Sequence, residues 1–376
     1  MPNNLIDEKY MRIALSLSKR NEGKVWPNPF VGCVITNGTG ATGNPIIVGT
    51  GWTQMGGRPH AEIVALKQAG ALSVGSTVYV TLEPCSHFGV TGPCVKSLIS
   101  SNVKKVVSAM KDPNPKVNGS GYEILKENGI EVVHGCLESE AEEIHKGFIT
   151  NMQNSRPWIS IKLAFSSDMK IGKHKAKRVK ITNAESDVYT HVLRSKYDAI
   201  LIGSNTYRND NPNLTVRLSG LSDYSPIRIV LSSRGDIINS SGLFKEIERA
   251  PLWVFVSNQI ENKTFNNLNK KGAKVIKMIT NQNHQFDLDE IFNKLASFGI
   301  NNILVEGGAS LVDSMFKLNL VDDMYLFKSD KVIGDSGISL DSITKIDNKI
   351  VNNLFQKFSA KCFGNDKVYY YNKLKV

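Results

Sequence analysis

The sequence predicts an α/β protein of two domains, and three observations carry that expectation. The chain has 376 residues, more than one compact core ordinarily spans. Short β-branched runs alternate with helix-patterned stretches, as in helices layered on a central sheet. The pattern then restarts after Pro157 with the apolar run WISIKLAF. This places a boundary near residue 150 and predicts domains over 1–150 and 151–376.

In the first domain, FVGCVIT (30–36) and PIIVGTGW (45–52) predict a strand pair with a turn-rich link. HAEIVALKQAG (60–70) predicts a helix with Gly70 as its stop. TVYVTLEP (77–84) predicts a buried strand, CVKSLISSN a helix and KKVVSAM (104–110) a strand. GYEILKENG then predicts a helix and IEVVHG (130–135) a strand. The second domain predicts a helix near 183–197 and strands at AILIG (199–203), IRIVLSS (227–233) and LWVFVS (252–257). A helix near 287–298, the strand NILVEGG (302–308), a helix from Ser310 and a β-rich tail ending VYYYNK complete it.

The composition, 41% hydrophobic and 22% charged, is that of an ordinary globular protein. No run approaches the roughly 20 apolar residues of a membrane-spanning helix, so no membrane partner is expected. The N-terminus mixes acids into an amphipathic pattern without an apolar signal core and reads as a cytosolic start. Five cysteines are an odd, sparse set. They argue for a reducing, cytoplasmic compartment in which close cysteines serve metals or catalysis; Cys33 and Cys136 are expected to fill core. The net charge of +11 is uneven: residues 1–150 hold 14 Lys and Arg against 13 Asp and Glu, and residues 151–376 hold 32 against 22. A basic domain suits nucleic acid or phosphorylated small molecules equally, and charge alone does not choose.

His60-Ala61-Glu62 opens a predicted helix, Pro84-Cys85 follows one strand later, and Cys94 starts another helix. One imidazole and two thiolates form a tripod that suits Zn²⁺ and leaves a fourth position open for water. Helix starts favour thiolate over thiol. Zinc lowers the pKa of its bound water to about 7. Glu62 is then the candidate shuttle for a proton from that water to a ring nitrogen and the leaving amine. The common zinc-deaminase signature is H-x-E followed by P-C-x-x-C; here the longer stretch SHFGVTGP separates the cysteines.

With TLEPCSHFGVTGPC (81–94), PNPFVGCVI (27–35), GGRPHAE (56–62) and MKDPNPKVNGSG (110–121), the first domain closely resembles the deaminase half of the RibD family of riboflavin biosynthesis. That family carries such an insertion between its cysteines. The resemblance implies a cytidine-deaminase-like three-layer α/β/α domain, with His60, Cys85 and Cys94 as zinc ligands and Glu62 as the catalytic proton shuttle. Asn28, His87 and Asn114 match positions that hold the pyrimidine or its ribose phosphate. Asn28 and Asn114 also precede prolines, where turn geometry alone accounts for them.

No G-x-G-x-x-G follows a strand in the second domain. NILVEGGASLVDSMF (302–316) instead offers a Gly-Gly turn at a helix start, where backbone N–H groups can approach a phosphate. Residues 156–376 resemble the family's reductase half, an α/β fold similar to dihydrofolate reductase. The likeness rests on PWISIKLAFSSD (157–168), the run from Ile181 to Arg217, PIRIVLSS (226–233) and LVEGGASL (304–311). It implies NADPH as cofactor, bound by Ala164, Lys180, Thr206, Asp210 and Ser233. Gly308, Ala309, Ser310, Leu311, Val312, Asp313 and Ser314 would complete that site. Substrate would meet Arg178, Arg194, Leu214, Arg217 and Glu306. Arginine suits a phosphate through its bidentate fork, although a solvated helix face or strand end also explains these arginines. The family usually has a small polar residue and a Trp where this chain has Arg178 and Lys180, and a Gly where it has Met169. The 170–180 loop, with six basic residues in eleven, either binds substrate or the NADPH 2′-phosphate, or is simply solvated.

The resemblance implies two reactions. The first hydrolyses the 2-amino group of a diaminopyrimidinone ribosylamine 5′-phosphate. The second reduces the ribosyl group to ribityl with NADPH. A small phosphorylated pyrimidine is therefore the expected partner, within a homo-oligomer and without nucleic acid. A nucleic-acid deaminase would share the histidine and cysteines, but it normally has the short cysteine spacing and would have no use for the second domain. A second domain that binds a ligand without reducing it is the other alternative.

Overall fold

The computed structural model describes residues 3–41, 43–115, 117–173, 179–237, 242–340 and 354–374. The chain divides into two compact units, Met1–Arg156 and Pro157–Val376.

The first unit runs α1 (Asn3–Ser18), β1 (Gly32–Thr39), β2 (Pro45–Trp52), α2 (Ala61–Ala69), β3 (Thr77–Val80), α3 (Cys94–Ser100), β4 (Lys105–Ser108), α4 (Ser120–Glu127), β5 (Glu131–His134) and α5 (Glu138–Asn154). Its sheet has the order β2-β1-β3-β4-β5. β1 is antiparallel to both neighbours, and β3, β4 and β5 are parallel. Cys33, Val34 and Ile35 of β1 are all fully buried, so both faces of the sheet are covered, as parallel strands require. Tyr10, Met11, Ala14 and Leu15 of α1 and Ala61, Ala65 and Ala69 of α2 supply the covering surfaces. Cys136 also packs into this core.

The glycines of β2 decide where α2 lies. A Cβ on Gly51 would sit 2.1 Å from Ala61 O, and one on Gly49 would sit 2.4 Å from Ala65 O. Any side chain there would lift the helix off the strand. The G-T-G step of PIIVGTGW thus lets the first turn of α2, with His60 at its N-cap, lie directly on the sheet.

The boundary expected near 150 falls inside α5. Phe148, Thr150 and Asn151 are still buried there, so the helix remains packed on the first unit's core. The chain leaves it only at Ser155, which takes a left-handed conformation (φ 53°).

The second unit continues with β6 (Trp158–Phe165), α6 (Ala184–Arg194), β7 (Ala199–Gly203), α7 (Ser204–Asp210), β8 (Ile227–Leu231), β9 (Leu252–Ser257), α8 (Asn262–Lys270), β10 (Lys274–Met278), α9 (Leu288–Ser297), β11 (Asn302–Val305), α10 (Ala309–Lys317), β12 (Asp323–Lys328), β13 (Phe355–Phe363) and β14 (Asp366–Lys373). The sheet order is β10-β9-β8-β7-β11-β6-β12-β14-β13. Strands β10 through β12 are parallel, and β14 and β13 close one edge antiparallel. The strand order reverses around β6, β11 and β7. In open α/β sheets, ligands bind at the carboxyl ends of strands at such a switch point. Arg228 of β8 is wholly buried. Its guanidinium donates to the carbonyls of Ala250, Lys245 and Asn213, which anchors the segment leading to Leu214 and Arg217. No helix among the described residues is long and apolar enough to cross a membrane.

His145 of α5 is buried against the Phe30 ring, with centroids 6.0 Å apart. Neither ring nitrogen has a hydrogen-bond partner among the described residues. Burial lowers its pKa from 6.5 to about 4, so between those values the unfolded chain binds a proton that the folded one refuses. Stability of the first unit should fall as the pH drops through that window, by up to about 3 kcal/mol. His145→Phe should remove that part of the loss. Hydrogen exchange of first-unit peptides in wild type and variant, from pH 7 to 4, checks this; identical pH dependence contradicts it.

Candidate active sites

The first site forms where α2 and α3 begin. His60 is extended (φ −69°, ψ 160°) at the N-cap of α2, and Cys94 is the first residue of α3. Cys85 follows β3, and its Sγ accepts the Cys94 backbone N–H at 3.3 Å. His60 Nδ1 lies 3.3 Å from Cys94 Sγ and 3.7 Å from Cys85 Sγ. All three ligand atoms lie within 4.8 Å of one another. Nitrogen at about 2.1 Å and sulfur at about 2.3 Å from one tetrahedral centre would stand roughly 3.6 Å apart, so the donors fit zinc in kind and in spacing. The Cys94 thiol beside it and the nearby His60 hold the Cys85 thiol low, while that same thiol–thiol contact and burial push Cys94 up. A divalent cation would stabilise both as thiolates. Glu62, in the first turn of α2, is 4% exposed, and burial together with Cys85 raises its carboxyl above the usual range.

The other predicted residues of this site have mixed positions. Asn28 Nδ2 donates to Gly57 O at 2.8 Å. Gly57 (φ +82°) has no room for a Cβ beside that amide, so Asn28 holds the turn that leads into His60. Asn114 is half-buried in a turn of its own: its N–H donates to Asp112 Oδ1, and its carbonyl accepts from Val117 and Asn118. His87 is exposed on the loop between the cysteines, which Arg58 pins through Thr91 Oγ1 at 2.6 Å.

The second site is a cavity of about 830 Å³ at the carboxyl ends of β6, β7 and β11. It brings together Ala164, Lys180, Thr206, Asp210, Gly308, Ala309 and Ser310 with Arg194, Leu214, Arg217 and Glu306. Thr206 Oγ1 is buried without a hydrogen-bond partner among the described residues. It faces the glycine turn so closely that a Cβ on Gly308 would lie 3.1 Å away. An unanswered hydroxyl beside the first N–H groups of α10 fits a phosphate-bearing dinucleotide.

Several second-unit residues depart from expectation. The Arg194 fork grips Glu306, Nε to Oε1 at 2.6 Å and Nη2 to Oε2 at 2.8 Å, and Nη1 reaches Thr215 O at 3.3 Å. Burial opposes ionisation of Glu306, but Arg194 overrides it and holds the carboxyl down to about 2. Arg194 is therefore committed to protein partners rather than open to a phosphate. Lys180 lines the cavity but pairs with Asp187 at 2.8 Å. Ser233, Leu311, Val312, Asp313 and Ser314 do not line it; of α10, only Ala309 and Ser310 at its start face the cavity. Val312 points into the core, Ser314 Oγ donates back to Ser310 O, and Ser233 lies beyond the end of β8. Arg178 lies outside the described residues.

Two cavity residues escaped the sequence reading. Lys162 sits in the apolar run of β6, where a lone cation was a signal to notice. His191 precedes Arg194 by one helical turn on α6, a spacing that puts both on one face. Burial, with Arg194 and Arg217 alongside, pushes His191 down to about 4.

Residues 157–363 match the RibD C-terminal domain, and residues 5–110 match the cytidine and deoxycytidylate deaminase zinc-binding region. The riboflavin biosynthesis protein RibD of Aquifex aeolicus is 38% identical over 356 residues, covering 93% of this chain and 96% of that one. The chain belongs to the RibD family. The Escherichia coli RibD is 35% identical over 345 residues, covering 89% of this chain and 90% of that one. The solved structure of Acinetobacter baumannii RibD aligns with a TM-score of 0.85 at 28% identity, over 99% of this chain and all of that one. As a RibD-family member, the chain is a bifunctional enzyme of riboflavin biosynthesis: its first unit is the zinc-binding deaminase, and its second the NADPH-dependent reductase.

Purified RibD-family protein of this sequence should hold one zinc per chain. Cys85→Ser should lose most of it, and Cys33→Ser, in the core, should keep it. Elemental analysis decides, and full deaminase activity in a zinc-free preparation would overturn the assignment.

Proposed function

We propose that the chain converts one phosphorylated pyrimidine in two successive steps. It removes the 2-amino group of 2,5-diamino-6-ribosylamino-4(3H)-pyrimidinone 5′-phosphate. It then reduces the ribosyl group, giving 5-amino-6-(5-phosphoribitylamino)uracil. The solved Thermotoga maritima protein described as a diaminohydroxyphosphoribosylaminopyrimidine deaminase and 5-amino-6-(5-phosphoribosylamino)uracil reductase supports this choice. It is 29% identical, with a TM-score of 0.81 over 99% of this chain. The observation that carries the reading is the buried Glu62 carboxyl beside the His60, Cys85 and Cys94 donors, on a chain that also holds a cofactor-sized basic cavity.

His60, Cys85 and Cys94 would hold zinc, which would supply the Lewis acidity that makes water nucleophilic near neutral pH. Glu62 takes one proton from the attacking water to the ring nitrogen, and then carries the remaining hydroxyl proton to the amine, which leaves as ammonia as the carbonyl forms. Its raised pKa suits both halves of that transfer. Asn28 and Asn114 frame the pyrimidine from the two turns they stabilise.

In the second unit, Thr206 and the Gly308–Ser310 turn would hold the phosphates of NADPH, which would supply the hydride for C1′, and Arg217 and Lys162 would receive the sugar phosphate. Glu306, fixed by Arg194, presents a rigid carboxylate to the ribose hydroxyls. Positioning does most of the work, since the open-chain carbon is already electrophilic. The excess of cations lies in the second unit, which favours a shared phosphorylated metabolite over a nucleic acid. None of the five cysteines forms a disulfide, which supports a cytoplasmic setting.

Glu62→Gln should retain zinc and lose deamination by about 10²- to 10⁴-fold. Given the deaminated ribosylamino compound, the same variant should still oxidise NADPH at the wild-type rate. Ammonia release and NADPH absorbance measure the two steps separately. Near wild-type ammonia release would remove Glu62 from the mechanism, and absent NADPH oxidation would reduce the second unit to a binding domain.

A further inference from the structure

Glu83 sits between β3 and Cys85 in the stretch Thr81-Leu82-Glu83-Pro84 and is 3% exposed. A carboxylate withdrawn from water must be met by strong hydrogen bonds. Here its oxygens are met by backbone amides from one segment. Oε2 accepts from Asp112 N at 3.1 Å and Gly119 N at 2.9 Å. Oε1 accepts from Gly119 N and Gly121 N, each at 2.9 Å. Amides converging in this way form a nest that holds an anion, and the anion is supplied by the protein itself.

The fit between the two strands of chain is close. Gly119 has φ +101°, and a Cβ on Gly121 would lie 2.4 Å from Pro84 O. The Glu83 N–H donates to Met110 O at 3.0 Å, and the hydroxyls of Ser86 and Ser120 lie 2.6 Å apart. The strand exit 83–86 and the segment 110–121 are thus laced together at several points. The first delivers Cys85 and His87, and the second delivers Asn114.

We infer that Glu83 is a positioning residue of the deaminase. Its carboxylate sets the separation between the Cys85 turn and the Asn114 segment, and through it the shape of the pyrimidine pocket. The inference rests on the proposed role of Asn114 at the substrate. With both its oxygens taken up by these amides, Glu83 acts through the loop it holds. Its charge matters because an amide has one acceptor oxygen, and its NH₂ group would face N–H donors.

Glu83→Gln should raise the deaminase KM roughly tenfold while kcat stays within about threefold of wild type, the scale of one lost charge-assisted hydrogen bond. Zinc content and reductase activity should not change, and amide exchange at Gly119 and Gly121 should quicken. Glu83→Asp, which keeps the charge, should fall between wild type and Glu83→Gln in KM. An unchanged KM in Glu83→Gln overturns the inference. So does a kcat loss that tracks lost zinc at constant KM, because Glu83 would then serve Cys85 alone. If Glu83→Gln does not fold, Ser120→Ala loosens the same contact more gently. A raised KM with full zinc there supports the inference, and a wild-type KM overturns it. Failure of the wild-type chain to deaminate the pyrimidine would instead remove the substrate reading.

Discussion

Glu83, Glu306 and Arg228 are charged groups withdrawn from water, and each is placed by the fixed partners that answer its charge. A buried ion without such partners shifts its protonation state or destabilises the fold. Glu83 is met by three backbone amides, Glu306 by the Arg194 fork, and Arg228 by three carbonyls. Each solution ties together two segments distant in sequence, and the tied segments carry the candidate site residues. Glu62 differs in consequence: burial lowers Arg228 only to about 10, which leaves it charged near neutral pH, whereas at Glu62 burial raises the carboxyl above its usual range. A group so perturbed is suited to exchanging a proton, whereas the others are suited to holding still.

The two units reach their sites by different geometry. In the deaminase, α2 lies against the glycine backbone of β2, so His60 and Glu62 are carried by a helix that cannot shift without a clash. In the reductase, three parallel strands end side by side, and the turns that follow them supply the cavity wall. Each unit has its own sheet and core, so the two reactions depend on separate scaffolds within one chain.

The metal donors were legible because the chemistry is local: each ligand sits at a helix start or strand exit that short motifs mark. The long parallel strands were equally plain as continuous apolar runs. Short elements such as α7 and β10 were not read, since a few residues hold too little periodicity to separate from loop. The end of α5 leaves little trace in the sequence, because no glycine closes it and its final turn is capped by Ser155 in a left-handed conformation. Pairings were the hardest to foresee. The pairing of Arg194 with Glu306, more than a hundred residues away, leaves no mark in local sequence. Glu83 was invisible for the same reason, because its partners are backbone amides that any residue could supply.

One chain carrying both sites should perform both reactions on one phosphorylated pyrimidine. The direct measurement is mass spectrometry of the diaminopyrimidinone ribosylamine 5′-phosphate after incubation with the full chain, with and without NADPH. Without NADPH, the product should have exchanged one amino group for oxygen, with release of ammonia. With NADPH, it should have gained two hydrogens as well. An unchanged pyrimidine, or a deaminated one that never takes up hydrogen from NADPH, would contradict the account.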